Sequence, residues 1–557
     1  MDHAEKRFRN LLSRQSKTLK AAVAEYKKRY GRSPPQGFDA WWDFAQAHDV
    51  RMIDEYDGLV QDLAPFWEMT GADFRKRAVQ AAEILPSVDL VRIRDGAADV
   101  ANLGGGEVGM RARGFLKMIE KFKNTLPDMD FAINARSEGR VLIPWEHRKF
   151  PNITTVDVSY ANSLSQTLPV PDWRGQGNTW DAYRRTCSPH SPARRLLSAI
   201  RTSPVNGTTS YFQTPTSHLG GEFKFARDVD GKYSFCDNPW ARNNQGHFFS
   251  DWRTVPVPFP ILSPAKSPGF ADIRIPSHYY HGTTRRYTYA WDEVNLEPKV
   301  LDSMETPWEN KDDKIFFRGA TTGGGSSPPG FASQYQRHRF IRMASEPSSM
   351  NRTLVFADPP SSSNYVYAKV PANTLNAVIM DVAFVSSVDH RHYPGGLQQE
   401  MEDHRFDDAV LLREHWSHKY LLDLDGMSYS GKFFAYLASD SAVVKSSVYS
   451  EFFSDWIQPW LHYIPLSATY REIYNVHAFF SGAPDAALQA TNSTALALPA
   501  SRRGSLDGDL RLRRIARAGK QWRKTIGRPI DMEAYVYRLC LEYARLWADD
   551  REAMSYS

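Results

Sequence analysis

The chain has 557 residues, 42% of them hydrophobic and 24% charged, with a formal net charge of +5. This is the profile of a globular protein of two or more domains. It excludes a disordered polyelectrolyte, and charge so small and evenly mixed lacks the basic footprint of a nucleic-acid binder.

In chain order, AEKRFRNLLSRQSKTLKAAVAEYKKRY (4–30) is a charged helical pattern, broken at Pro34 and Pro35 in GRSPPQGFDAWW. Residues 85–150 alternate short apolar runs with helical stretches, as in FLKMIEKFKNTLP leading into MDFAIN, the mark of an α/β domain. From Ser159 to Pro298 the chain is rich in Pro, Gly and aromatic residues and reads as loops around a site or a sheet. A second α/β pattern begins near residue 310. KIFFRG, NAVIMDVAFV, KYLLDLDG and AVVKSS are strand-like runs separated by helical spacing, which predicts a largely parallel sheet. Residues 483–509 read as an insertion, and the run 502–528, with ten basic residues against two acidic, as a solvated helix face. DMEAYVYRLCLEYARLWADD (531–550) closes the chain as an amphipathic helix with Tyr535, Leu539, Tyr543 and Trp547 on one stripe. No run of 18 apolar residues marks a membrane span. MDHAEKRFRN lacks a signal-peptide core, so any targeting segment or anchor is expected outside this chain.

Few motifs carry chemistry. GGGEVG (104–109) satisfies GxGxxG but follows no clear strand, so the dinucleotide reading lacks its context. IFFRGATTGGGSSPPG (315–330) ends an apolar strand in an arginine and three glycines; bare amides and a guanidinium suit phosphate oxygens, although such clusters are also ordinary loops. It lacks the GK[ST] ending of a P-loop. In KYLLDLDG, alternation places Asp423 and Asp425 on one side, and Lys432 follows, a cation able to stand beside a diphosphate where a metal would otherwise be needed. His390 and His392 have no third ligand nearby and read as surface or site-lining residues. Of three cysteines, Cys540 falls on a helix's apolar face, while Cys187 and Cys236 are able to pair in an oxidising compartment. Asn-x-Thr sequons begin at Asn152, Asn206, Asn351 and Asn492 and mildly favour the secretory pathway.

Four stretches together resemble glycosyltransferase family 90, the fungal capsule-associated proteins and Rumi-type protein O-glucosyltransferases. They are DMDFAINARSEGRVLIPWE (128–146), FADIRIPSHYY (270–280), KIFFRGATTGG (314–324) and the run from Lys419 to Leu466. The resemblance implies a GT-B fold of two Rossmann-like lobes: a helical stem (1–84), an acceptor-side lobe (85–300), a donor lobe (301–527) and the closing helix (528–557). It implies an inverting, metal-independent transferase, without cofactor, moving xylose or glucose from UDP-xylose or UDP-glucose to a glycan or glycoprotein. It also implies a secretory-lumen, Golgi location with a type II membrane anchor outside this chain. Arg318, Gly319, Thr321, Thr322, Gly323, Asp425, Gly426, Ser430 and Lys432 would bind the donor. Rumi-type members carry arginine where Thr321 and Lys432 stand, and Arg337 or Arg339 would compensate. Ser137 occupies the position of the family's catalytic Asp, which leaves three readings: Glu138 is the base, another carboxylate such as Asp128 or Asp130 serves, or transfer activity is lost and the chain binds glycans or nucleotides. Asn134, Arg136, His462 and Tyr463 would line the site. Outside the resemblance, a metal-dependent nucleotide hydrolase using Asp423 and Asp425 is a further reading.

Overall fold

The computed structural model describes residues 1–85, 87–102, 109–149, 179–195, 221–229, 234–250, 254–282, 291–292, 297–298, 304–326, 330–347, 349–360, 362–388, 390–499 and 507–557. The GGGEVG motif (apart from Gly109) and parts of the 159–298 loop region, chiefly 159–178 and 196–220, lie outside these residues.

Two five-stranded sheets organise the chain. The first contains β1 (Val88–Arg94), β2 (Ala97–Asn102), β3 (Met129–Asn134), β4 (Ile261–Ser263) and β5 (Ile273–Arg274), in the order β2-β1-β3-β4-β5. β1 runs antiparallel to β2 and β3, whereas β3, β4 and β5 are parallel. Every residue of β3, MDFAIN, is buried, as suits a strand covered on both faces.

The second sheet is wholly parallel. Its strands are β6 (Asp312–Ala320), β9 (Met380–Ser386), β10 (His418–Leu424), β11 (Ala442–Ser446) and β12 (Ile464–Pro465), ordered β9-β6-β10-β11-β12. A separate antiparallel hairpin, β7 (Asn351–Ala357) and β8 (Tyr365–Pro371), stands between β6 and β9 in the chain. The strand order reverses between β6 and β10, and in such doubly wound sheets the ligand crevice lies there, beyond the strands' carboxyl ends. The parallel sheet expected from residue 310 onward is present.

Helices α1 (Asp2–Ser13), α2 (Leu19–Tyr30), α3 (Phe38–Ala47), α4 (Asp57–Leu63) and α5 (Gly71–Ile84) occupy the segment read as a stem. They pack into the body: the Trp41 indole donates to the Ala534 carbonyl at 3.0 Å, and the Trp456 indole to that of Glu55 at 2.7 Å. The cause is apolar surface, since Trp41, Phe66 and Phe74 are fully covered by these contacts.

Further helices are α6 (Met110–Ile119), α7 (Gln336–Ser345), α8 (Gly508–Thr525) and α9 (Pro529–Trp547). The amphipathic reading of α9 is corrected: residues 531–546 are all buried, because the N-terminal helices cover the face that sequence leaves polar. Arg538 there sits over Phe38 at 4.4 Å and pairs with Glu542, which accepts from the Tyr26 hydroxyl at 2.9 Å. The insertion is also partly built into the core, with Ala487, Leu488 and Ala495 buried. Cys187 and Cys236 are disulfide-bonded with their Cα atoms 5.5 Å apart, and Cys540 is a buried thiol.

Candidate active site

The crevice at the strand reversal is built by the loop after β6 (321–326) and the loop after β10 (425–432). Gln336, near the start of α7, ties them together. Its side-chain amide donates to the carbonyls of Gly323 at 2.8 Å and Gly426 at 2.9 Å, and its oxygen accepts from the Gly246 amide at 3.1 Å. The glycine run therefore has a physical reason of its own. A Cβ on Gly246 would lie 1.5 Å from the Gly323 carbonyl oxygen, and one on Gly324 would lie 2.7 Å from the Gly246 backbone. What approaches Gly323 and Gly324 so closely is a second backbone.

The cations of the crevice are Arg337 and Lys432. Arg337 donates to the Ala320 carbonyl at 3.1 Å, the Thr322 hydroxyl at 2.7 Å and the Leu424 carbonyl at 3.2 Å. Gly426 admits it, since a Cβ there would lie 3.2 Å from the guanidinium. Lys432 donates to the Arg318 carbonyl, and its amine lies 5.3 Å from the Phe317 ring centre. Burial and then the Arg337 charge push Lys432 down to about 7, with Asp423 only partly opposing. Beside it Ser430 is buried, its hydroxyl accepting from the Lys432 amide at 3.4 Å.

The two aspartates expected on one side both face Lys445. Asp423 pairs with Lys445 at 2.7 Å, while Asp425 accepts from the Val448 amide at 2.9 Å. The other oxygen of each is buried without a hydrogen-bond partner. Burial raises Asp425 to about 7. Among the described residues no group of three or more His, Cys, Asp or Glu side chains is arranged to hold a metal ion.

Opposite lies the loop after β3. Asn134 is its scaffold: its amide donates to the Glu138 carbonyl at 2.7 Å, and its oxygen accepts from the Arg136 backbone at 3.0 Å. Glu138 is buried, and after burial itself the charges of Asp425 and Glu138 raise the Tyr449 hydroxyl. Ser137 accepts from Arg111 of α6 at 2.9 Å. Arg111 is only 6% exposed, and its other two guanidinium nitrogens are buried without hydrogen-bond partners.

Several expected contributors point elsewhere. Arg318 turns to β9, pairing with Asp381 at 2.8 Å and Asp407 at 3.0 Å, so those carboxylates, not the glycine loop, hold its guanidinium. Gly319 lies within β6, where a Cβ would meet the Phe317 ring at 2.8 Å. The Thr321 hydroxyl accepts from the Val388 amide at 2.8 Å. Arg339 donates to the carbonyls of Ala468 and Asn244 and lies over Tyr470, a cross-link within the fold. His462 is buried between Phe8 and Trp522 and accepts from the Gln458 amide at 2.9 Å. Tyr463 donates to Asp228 at 3.2 Å, and both line a cavity beside β11. Asp128 and Asp130 are excluded as bases: they sit at the opposite end of β3, Asp130 some 13 Å from Asn134 at about 3.3 Å per residue, and Arg92 and Arg94 both pair with it. Arg111, Gln336, Gly246, Tyr449 and Lys445 were not singled out by sequence, because nothing local marks a residue whose partners lie tens of positions away, 26 for Arg111 and Ser137, 22 for Lys445 and Asp423, and 90 for Gln336 and Gly246.

Comparison with known proteins fits this geometry. Residues 370–491 match the model of Glycosyl transferase family 90. That span contains β9 to β12 and the whole 425–432 loop. The chain therefore carries a family 90 segment over residues 370–491. It is 25% identical over 238 residues to an O-glucosyltransferase rumi homolog of Aedes aegypti, covering 41% of this chain and 48% of that protein. A second, from Anopheles gambiae, is 24% identical over 230 residues, covering 40% and 46%. The chain thus spans about half the length of the relatives it matches. Among the described residues no helix is long and apolar enough to cross a membrane.

Proposed function

We propose that the chain is an inverting, metal-independent glycosyltransferase of GT-B arrangement. It moves xylose or glucose from UDP-xylose or UDP-glucose to a hydroxyl of a glycan or glycoprotein. The observation that carries the reading is the Lys432–Arg337 pair, two cations set beside the Phe317 ring at the strand reversal, where burial and then the Arg337 charge depress the Lys432 amine. An anion relieves that repulsion, and the diphosphate of a nucleotide sugar is the anion that a doubly wound sheet receives there. As the sugar–phosphate bond breaks, charge grows on the departing UDP, and fixed donors on Arg337, Lys432, Thr322 and Ser430 lower the barrier. The acceptor oxygen attacks the anomeric carbon from the opposite face and gives its proton to Glu138. A secretory-lumen setting, Golgi in the family pattern with a type II anchor, is supported by the Cys187–Cys236 disulfide.

Melting the protein in EDTA with UDP, GDP, CMP or buffer tests the donor site. A ligand in hundredfold excess over Kd stabilises by about 2.7 kcal/mol. A rise with UDP alone is expected, and no rise with any nucleotide refutes the reading. A second reading, a glycan- or nucleotide-binding protein without turnover, is favoured by Ser137 standing beside Arg111 where the family places a carboxylate. Unchanged turnover in Glu138→Gln would remove Glu138 as the base, and absent turnover in the parent with UDP still bound would support the second reading.

A further inference from the structure

A cavity of about 330 Å³ lies beyond the carboxyl ends of β5 and β11, at the small end of ligand pockets, which run roughly 300–1,000 Å³. Its walls come from both sheets and from α4, the helix read from sequence as stem. We infer that this cavity binds a neutral sugar ring, and that the ring belongs to the acceptor.

Charge pairing selects the ligand class. Arg274 donates to Asp62 at 2.8 Å, and Lys266 pairs with the same carboxylate. Lys445 is held by Asp423 at 2.7 Å and lies 3.8 Å from Glu451. Each cation of the wall is therefore answered by a carboxylate, and a phosphate or carboxylate entering here would meet as much repulsion as attraction. This contrasts with the Lys432–Arg337 corner, where the cations crowd one another. What the cavity offers instead is fixed hydrogen-bonding groups, including Asp228 and Asp455, beside the rings of Phe453 and Tyr463. Carboxylates that accept from vicinal hydroxyls, together with aromatic rings that cover C–H faces, recognise an uncharged pyranose. Burial supports this neutrality, since Glu451 is raised to about 8 while accepting from the Tyr280 hydroxyl at 2.7 Å.

Position selects the acceptor. Tyr449 lines the cavity and its hydroxyl donates to the Met427 carbonyl of the 425–432 loop at 3.4 Å, while the Tyr280 hydroxyl joins Glu451 of the wall to the Ser430 carbonyl at 2.8 Å. A ring seated in the cavity therefore backs onto the loop that carries Ser430 and Lys432, and a wall whose cations are already paired suits an uncharged acceptor better than the donor's diphosphate. Assigning the ring to the acceptor rests on the proposed transfer reaction; the presence of a neutral-sugar site does not.

The test is saturation-transfer NMR on the whole chain with methyl β-xyloside, methyl β-glucoside and methyl β-glucuronide, with and without UDP. Two variants obstruct the cavity: Ser450→Trp in its wall and Gln61→Trp at its exposed rim on α4. A neutral glycoside is expected to bind with UDP present or absent. Each variant should weaken it at least tenfold while leaving the UDP melting shift unchanged. Binding of the glucuronide in preference to both neutral glycosides overturns the ligand class. Equal binding by parent and both variants overturns the location, and competition by UDP overturns the acceptor assignment. Loss of the UDP shift in the parent refutes the donor reading instead, so the two failures are distinguishable.

Discussion

The ionisation of Lys432 gives the most direct check on the crevice. Burial and Arg337 hold the amine at about 7 in the free protein. A diphosphate placed between the two cations favours the charged form and restores the amine toward or above its ordinary range near 10. Binding therefore takes up a proton above neutral pH, and affinity for UDP falls as pH rises. With about half of the amine protonated at pH 7 and about one in a hundred at pH 9, the Kd rises about fiftyfold across that interval. The phosphate contributes little to this dependence, because with a second pKa of about 6 it is already about nine-tenths ionised at pH 7. Calorimetry at pH 8 in two buffers of different ionisation enthalpy should report uptake of nearly one proton. Lys432→Met should bind more weakly at pH 7 and lose the dependence. Without ligand the sign reverses: the unfolded chain holds the proton more tightly than the folded one, so this group's contribution to stability rises with pH from about 7 to 10. A pH-independent Kd in the parent protein would refute the placement of the diphosphate at Lys432.

Two further outcomes follow from the packing. Gly246→Ala places a methyl 1.5 Å from the Gly323 carbonyl oxygen; it should destabilise by about 2–3 kcal/mol and lower UDP affinity with it, read by thermal melting, and a neutral result would show that the two backbones are not in contact. Ser137→Asp gives the buried Arg111 guanidinium a carboxylate partner, so it should raise the melting temperature; a fall would show that Arg111 already has its charge satisfied in solution.

The runs KIFFRG, KYLLDLDG and AVVKSS announced β6, β10 and β11, because a strand covered on both faces must be continuously apolar and its local composition shows it. The same local logic marked the 425–432 loop, where Asp-Gly stops a strand and Lys432 follows within a few residues. Period and composition are properties of neighbouring residues, and so the sequence by itself determined the α/β class, the parallel second sheet and the turn that carries Lys432. The tertiary structure decided which way side chains turn and what meets them. Alternation leaves Arg318 a face of β6 but does not say that Asp381, 63 positions on, waits there. Three glycines promise close approach without naming the visitor, which here is the backbone of Gly246. Helix α9 shows a stripe in sequence yet is buried all round, because helices from the other end of the chain cover its second face. In each case the deciding partner is distant along the chain, and only the folded packing brings it within hydrogen-bond or van der Waals range.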